Sequence, residues 1–286
     1  MLEARKLRIT TVAENTGTGK GRLGEWGLSV LIEDGTRRFL LDTGASASTV
    51  ANADTLGVDL STIDAIVLSH GHYDHTGGLL PVLARRKGET RIIAHPAVFG
   101  AKYGRNRKTG KYSYSGIPYA REALESAGAR FELTAAPTWL TADIAASGEE
   151  PMTTDFEAVA DTLHLKTGSG YELDEVLDDQ SLYIRTDLGL VVVLGCAHRG
   201  MINIIRHGRQ VTGTPKVYMV IGGTHLGPAP EAQVDRSIEA LKEMDVKWVG
   251  VSHCTGLTVA SRLDRELPGR FFFNNTGRAI TFPFSP

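Results

Sequence analysis

Four apolar runs in this sequence each lead into a loop that carries a histidine, and few folds let four strands deliver the same chemistry from the same end. The runs are Ile63 to His70, Gly189 to Leu194 followed by His198, Lys216 to Ile221 followed by His225, and Val246 to His253. Each is rich in Val, Ile and Leu at the length of a buried strand. Ligands of α/β sheets collect beyond the carboxyl ends of the strands, so His70, His198, His225 and His253 are expected around one site. The first run opens onto Ser69-His70-Gly71-His72-Tyr73-Asp74-His75-Thr76-Gly77-Gly78, which places three imidazoles and a carboxylate within six residues. Imidazole and carboxylate at that density suit a transition metal: zinc first, with iron or manganese as alternatives.

The remaining pattern is that of an α/β protein. Leu28 to Glu33 and Arg37 to Asp42 flank the turn Asp34-Gly35-Thr36, and Ser181 to Thr186 and Gly189 to Leu194 form a second hairpin-like pair. Both pairs end in a glycine-bearing loop, and IDAIVLSH is echoed by VKWVGVSH, which suggests two similar halves. Helices are expected over Ala232 to Met244, over Ile117 to Ala127, and over Met201 to Arg206 with Gly208 closing the last. Residues from about 96 to 179 lack this strand rhythm and are expected as an insertion in a single domain spanning 1–286. Gly100, Gly104, Gly110 and Gly116 within it suggest a mobile flap.

That flap carries Lys102, Arg105, Arg107, Lys108 and Lys111 interleaved with Tyr103, Tyr112 and Tyr114. A lid of this composition suits an anionic, partly aromatic small molecule; a solvated basic loop is the alternative. Lys102, Arg105, Arg107, Lys111 and Tyr114 are therefore substrate-binding candidates, as are Arg199 and Asn203 at the start of the helix after His198. Over the whole chain, 31 Lys and Arg stand against 33 Asp and Glu, a formal net charge of −2. There is no global attraction for nucleic acid or an anionic membrane, so any pull on an anion is local. No run of 18 apolar residues occurs, and MLEARKLRITTVAEN has no apolar core of signal-peptide length. A cytoplasmic protein with neither nucleic-acid nor membrane partners is expected. The only cysteines, Cys196 and Cys254, each sit near a strand-end histidine, which favours site chemistry over a structural disulfide.

His70-x-His72-x-Asp74-His75 after a strand, with Asp42-Thr43-Gly44 upstream and strand-end histidines downstream, resembles the metallo-β-lactamase superfamily. The resemblance covers most of the chain and implies a four-layer αββα sandwich of two similar halves with one or two divalent metals. It would place His70 and His72 on a first metal and Asp74, His75 and His253 on a second, with His198 as a further ligand and Asp42 in support. Asp74 would also orient the nucleophile. The metal's part would be to lower the pKa of water towards about 7 and to polarise the oxygen under attack. The likeness departs at Gly195-Cys196-Ala197-His198, where no Asp bridges the metals; Cys196 is a thiolate ligand or a small buried neighbour, and Asp178 and Asp179 are candidates for the missing carboxylate or else simply form an Asp-rich turn. His225, after two glycines, is a proton donor, oxyanion partner or phosphate contact, or else a packed core histidine.

GCAHRGMINII, GGTHLG and VSHCTG resemble one branch of the superfamily: metal-dependent hydrolases related to the methanopterin-pathway synthase that joins a dihydropterin to ribofuranosylaminobenzene 5′-phosphate. The expected activity is metal-dependent hydrolysis of a small anionic ester or phosphoester. The alternatives are a transferase of the synthase type and a metal-dependent binding or sensor protein.

Overall fold

A computed structural model describes residues 1–285. Two seven-stranded sheets form its centre. The first contains β1 (Arg8–Ala13), β2 (Ser29–Glu33), β3 (Arg38–Leu41), β4 (Ala65–Val67), β5 (Thr90–Ala94), β8 (Ala129–Leu133) and β18 (Ala279–Thr281), in the order β18-β1-β2-β3-β4-β5-β8. The second contains β9 (Thr138–Trp139), β10 (Ile144–Ala146), β13 (Leu182–Thr186), β14 (Gly189–Leu194), β15 (Val217–Gly223), β16 (Trp248–Ser252) and β17 (Phe271–Phe273), in the order β17-β16-β15-β14-β13-β10-β9. Strands β6 (Lys102–Arg105), β7 (Tyr112–Tyr114), β11 (Leu163–Thr167) and β12 (Gly170–Leu173) make a third, smaller sheet.

Alternation along the strands explains the layering. In β14, Val191 and Val193 join the core between the two sheets, while Leu190, Val192 and Leu194 face a second core. That second core is shared with α5 (Met201–Thr212), α6 (Glu231–Glu243) and α7 (Gly256–Glu266). In β3, Phe39 and Leu41 point into the inter-sheet core and Leu40 points the other way. The core on that side is shared with α1 (Ser48–Leu56), α3 (Leu79–Arg86) and α4 (Arg121–Ser126). Strands with both faces buried need apolar residues at every position, which is why these segments read as continuous apolar runs. Helices outside two facing sheets give the αββα sandwich.

The two sheets repeat one topology. In each, an antiparallel hairpin (β2-β3, β13-β14) leads into three further parallel strands (β4, β5, β8 and β15, β16, β17). Two similar halves are therefore present, but the echo between IDAIVLSH and VKWVGVSH does not mark their equivalence. By position β4 corresponds to β15, and β16 corresponds to β5.

Two helices differ from expectation. The third helix runs to Thr212 and ends at Gly213, whose φ of 63° suits a left-handed cap. Gly208 lies inside it, because a Cβ there would come within 2.7 Å of the Tyr183 ring. Helix α4 begins only at Arg121; Pro118 disfavours helical backbone at Ile117.

The segment expected as a flap is divided among all three sheets. It gives β8 to the edge of the first and β9 and β10 to the edge of the second. The basic, tyrosine-rich part is a folded sheet in which Tyr112 stacks on Tyr171 at 3.8 Å and Tyr103 meets Tyr114 edge-on.

Candidate metal centre

The loop after β4 is shaped by what it must pass. A Cβ on Gly71 would lie 2.0 Å from the Val98 carbonyl oxygen, so only glycine lets the backbone run between His70 and His72. The chain then turns into the short helix α2 (Tyr73–Thr76), which carries Asp74 and His75. Segment 174–180 holds the loop from behind: Gln180 donates its amide to the Ser69 carbonyl at 2.8 Å and its side-chain NH₂ to the Leu68 carbonyl at 2.8 Å. Asp178 Oδ2 accepts from the Gly71 amide at 2.8 Å.

His70, His72, Asp74, His75, His198 and His253 come together, all buried. Their rings form a chain of contacts, with His70 centred 4.6 Å from His72, 4.7 Å from His198 and 4.3 Å from His75. His70 Nε2 lies 3.2 Å from His198 Nε2, and His75 Nε2 lies 3.2 Å from His253 Nε2. Asp74 Oδ2 is 3.3 Å from His253 Nε2.

Partners behind three of these rings fix their tautomers. Asp42 Oδ2 accepts from His75 Nδ1 at 2.6 Å, and Asn15 Oδ1 accepts from His253 Nδ1 at 3.0 Å. Ser69 Oγ donates to Asp42 Oδ2 at 2.6 Å, which leaves its lone pairs to accept from His70 Nδ1 at 2.9 Å. Each ring with its proton on Nδ1 presents a bare Nε2 to the centre. Two bare nitrogens facing each other at 3.2 Å repel unless a proton or a cation lies between them. The donor set thus fits a divalent metal, with His70, His72 and His198 on one side and Asp74, His75 and His253 on the other.

The electrostatics agree. Burial, reinforced by the neighbouring imidazoles, holds His70 and His198 well below the ordinary histidine range, and burial takes His72 down to about 3. Burial also acts to lower His75, but the Asp42 carboxylate outweighs it and lifts that ring to about 9, a proton that a metal at Nε2 would displace. For Asp74, burial acts upward and is overcome by the His253 hydrogen bond and the surrounding imidazoles, which keep the carboxylate ionised. Asp42, Ala197, His225 and His253 all have left-handed backbone, with φ of 59°, 56°, 49° and 53°. Strain of this kind persists where surrounding structure over-determines it, and here it gathers around one cluster.

Both cysteines are buried and free, with Sγ atoms 3.1 Å apart. Cys196 Sγ lies within 4.8 Å of the nearest ligand atoms of His70 and His198, and equally of His75 and His253. His225 packs on His198 with ring centres 4.2 Å apart, its Nδ1 3.6 Å from Cys196 Sγ. Beside His198 and His225 opens a cavity of about 480 Å³ whose walls include Phe156, Val159, Pro228 and Gln233, with Arg107 and Arg236 among its lining. A second cavity of about 370 Å³ opens on the far side, beside His253, Trp26 and Leu257.

Several expected substrate contacts lie elsewhere. Lys102 is 1% exposed and donates to Asp174 at 2.8 Å and to Asp178 at 2.7 Å, so its charge is spent inside the protein. That pairing, with the Gly71 bond, also commits Asp178 away from the ligand set. The Arg199 guanidinium donates to the carbonyls of Glu150 and Glu175. The Tyr114 hydroxyl donates to the Ile117 carbonyl at 2.8 Å, and neither Tyr114, Arg105 nor Lys111 lines the cavity. Arg107 does line it, paired with Asp161 at 2.6 Å. The first amides of α5 are occupied by Glu157, which accepts from Ile202 and Asn203 at 2.8 Å, and the Asn203 side chain is bound to Thr153 and Thr154. Asp179 accepts from the Arg199 amide at 2.8 Å through Oδ2, while Oδ1 is buried without a hydrogen-bond partner; burial is the main reason its pKa rises to about 7.

Asn15 and Glu14, whose Oε2 accepts from the His253 amide at 3.3 Å, had no motif to reveal them. They reach the site from the loop after β1, more than two hundred positions from His253.

Comparison with known proteins places the arrangement in a family. Residues 27–154 match the family model described as the metallo-beta-lactamase superfamily. Over 96% of its length the chain is 32% identical to 7,8-dihydropterin-6-methyl-4-(beta-D-ribofuranosyl)-aminobenzene-5'-phosphate synthase of Methanocaldococcus jannaschii, covering 97% of that protein. The chain belongs to the metallo-β-lactamase superfamily. An uncharacterised protein of the same archaeon is 30% identical over 95% of this chain and 99% of its own length. Among solved structures, Tm1679, a metal-dependent hydrolase of the β-lactamase superfamily, superposes with a TM-score of 0.82 at 26% identity, covering 98% of this chain and all of that one. Divalent metals are the cofactors of the metallo-β-lactamase superfamily, and this chain is an enzyme of it. Among the described residues no helix is long and apolar enough to cross a membrane.

Proposed function

We propose that this protein is a metal-dependent hydrolase acting on a small anionic ester or phosphoester, with zinc as its first metal and iron or manganese as alternatives. The observation that carries the reading is the pair of imidazole nitrogens, His75 Nε2 and His253 Nε2, held 3.2 Å apart beside the ionised Asp74. His70, His72 and His198 would hold one ion and Asp74, His75 and His253 the other. A divalent ion there supplies Lewis acidity, which makes water a nucleophile near neutral pH and polarises the bond under attack.

The chain's own residues do the rest. Asp42 and Asn15 keep the protons of His75 and His253 on Nδ1, so the donor atoms need no reorganisation. Asp74, buried and ionised, accepts a hydrogen bond from attacking water and aims it. His225, on the wall of the larger cavity, is placed to give a proton to a departing oxygen. Phe156, Val159 and Pro228 give that cavity apolar walls, and Arg107 and Arg236 supply positive charge beside them.

A second reading, transfer between two substrates, is favoured by one observation: cavities open on both sides of the cluster, one at His198 and His225, the other at His253 and Trp26. The relative named as a synthase supports it. An assay of zinc-loaded protein on aryl esters, phosphomonoesters and phosphodiesters separates the two. Turnover that needs metal and no second organic substrate supports hydrolysis. Turnover seen only when two organic substrates are present supports transfer, and no metal-dependent turnover of either kind overturns both.

A further inference from the structure

We propose that the Cys196 thiolate is a bridging donor between the two halves of the metal cluster, an inference that rests on the metal-dependent reading above. Cys196 Sγ lies within 4.8 Å of donor nitrogens from both halves, His70 and His198 on one side and His75 and His253 on the other. The two thiols are not equivalent. Cys254 Sγ accepts the His225 amide at 3.2 Å and faces the Cys196 carbonyl at 3.4 Å, so the backbone occupies it. Cys196 Sγ makes no backbone hydrogen bond; its neighbours are Cys254 Sγ and His225 Nδ1.

Local packing makes room for this arrangement. A Cβ on Gly223 would lie 2.8 Å from Cys254 Sγ and 2.6 Å from the Gly195 carbonyl oxygen, so the glycine at the end of β15 lets the sulfur pair sit across the strand ends. Charge gives a second reason. Five neutral imidazoles and the single Asp74 carboxylate offset little of the charge of two divalent ions, and a thiolate adds a second anionic donor of the kind that zinc and iron favour. Binding would release the Cys196 S–H proton to solvent and form sulfur–metal bonds, with no change of oxidation state.

The test uses the full-length protein, stripped with a chelator and titrated with cobalt(II) alone, and the zinc-loaded protein for X-ray absorption. Wild type and Cys254→Ser should develop a sulfur-to-cobalt charge-transfer band in the near ultraviolet, and Cys196→Ser should lose it. The zinc edge should show a sulfur shell at about 2.3 Å in wild type. Cys196→Ser should bind its second equivalent of metal at least about tenfold more weakly, since even outer partners of metal ligands are worth that much. Circular dichroism checks that each variant is folded, and Cys196→Ala repeats the test should the serine variant fail that check. Stoichiometric metal with only nitrogen and oxygen neighbours, or a band that survives loss of Cys196, overturns the bridge and leaves the histidine site standing. Failure of wild type to bind either ion overturns both.

Discussion

The Asp42 carboxylate is shared between a ring and a loop: its Oδ2 lies 2.6 Å from His75 Nδ1, while its Oδ1 accepts the Ser69 amide at 2.7 Å. One residue therefore sets the tautomer of a donor and the position of the strand end that leads to His70, His72 and Asp74. Its own left-handed backbone, at φ 59°, is the conformation that directs the carboxylate there. Asp42→Asn keeps the shape but replaces an anionic acceptor with an amide. Metal affinity should fall by about 10- to 100-fold in a chelator-competition titration. An unchanged affinity would show that His75 needs no such orientation.

His70→Ala and His72→Ala remove donors from the first half of the cluster. Each should lower the metal content of the purified protein by about one ion relative to wild type, measured by elemental analysis. Content equal to wild type in both variants would remove these histidines from the ligand set.

Much of this centre was legible because strands end where apolar runs end, and the histidines at 70, 198, 225 and 253 all follow such ends. Asp42 was reached only through the resemblance to the metallo-β-lactamase superfamily. Asn15 and Glu14 were not, since their loop has no periodicity and meets His253 only through the packing of one sheet on the other. Lys102 misled because a lysine among exposed charges reads as solvated, and nothing local shows that Asp174 and Asp178, more than seventy positions later, enclose it. Gly208 misled in the opposite sense: a glycine near a helix end reads as a cap, whereas its requirement is the Tyr183 ring from a neighbouring strand. The two halves were visible in their hairpins, but the SH echo joined strands that are not topological equivalents.

The Lys102 ion cluster distinguishes a buttress from a substrate contact. Lys102→Met would leave Asp174 and Asp178 buried without their cation, a change that typically costs about 3–5 kcal/mol. Denaturant unfolding should show a loss of that order. Lys111→Ala, on the exposed turn before β7, should leave stability unchanged. A Lys102 variant of normal stability with a weakened substrate interaction would return the residue to the binding role expected from sequence.

Glu150, which is not among the candidate metal ligands, offers a pH test. Burial raises its pKa to about 8 from an ordinary 4.5, with the Tyr183 hydroxyl donating to it at 2.9 Å. In the unfolded chain the carboxyl ionises near 4.5, whereas in the folded protein it keeps its proton until about 8. The folded state binds more protons in that window, so the group's contribution is complete below 4.5 and is lost as pH rises towards about 8. Glu150→Gln cannot ionise. Its melting temperature should therefore rise relative to wild type across this interval, and a constant difference would show that Glu150 does not titrate there.

The larger cavity carries the last prediction, on substrate charge. Arg107 and Arg236 line it, but each pairs with an exposed carboxylate, Asp161 at 2.6 Å and Asp155 at 2.9 Å. Exposed pairs of this kind are worth about 1 kcal/mol or less, so an anionic group on a substrate can take the place of either aspartate at little cost. Arg236 is also held in position, with its guanidinium carbon 4.3 Å from the centre of the Phe156 ring. Arg107→Ala and Arg236→Ala should each raise KM for an anionic aryl ester about 2- to 5-fold, in keeping with the strength of an exposed pair. KM for the neutral analogue should stay unchanged. The difference should shrink at higher ionic strength, where the interaction is screened. Lys111→Ala, outside the cavity lining, should affect neither substrate. Equal losses on both substrates would mean that the arginines only shape the wall, and a larger effect from Lys111 would move the anion site onto the small sheet.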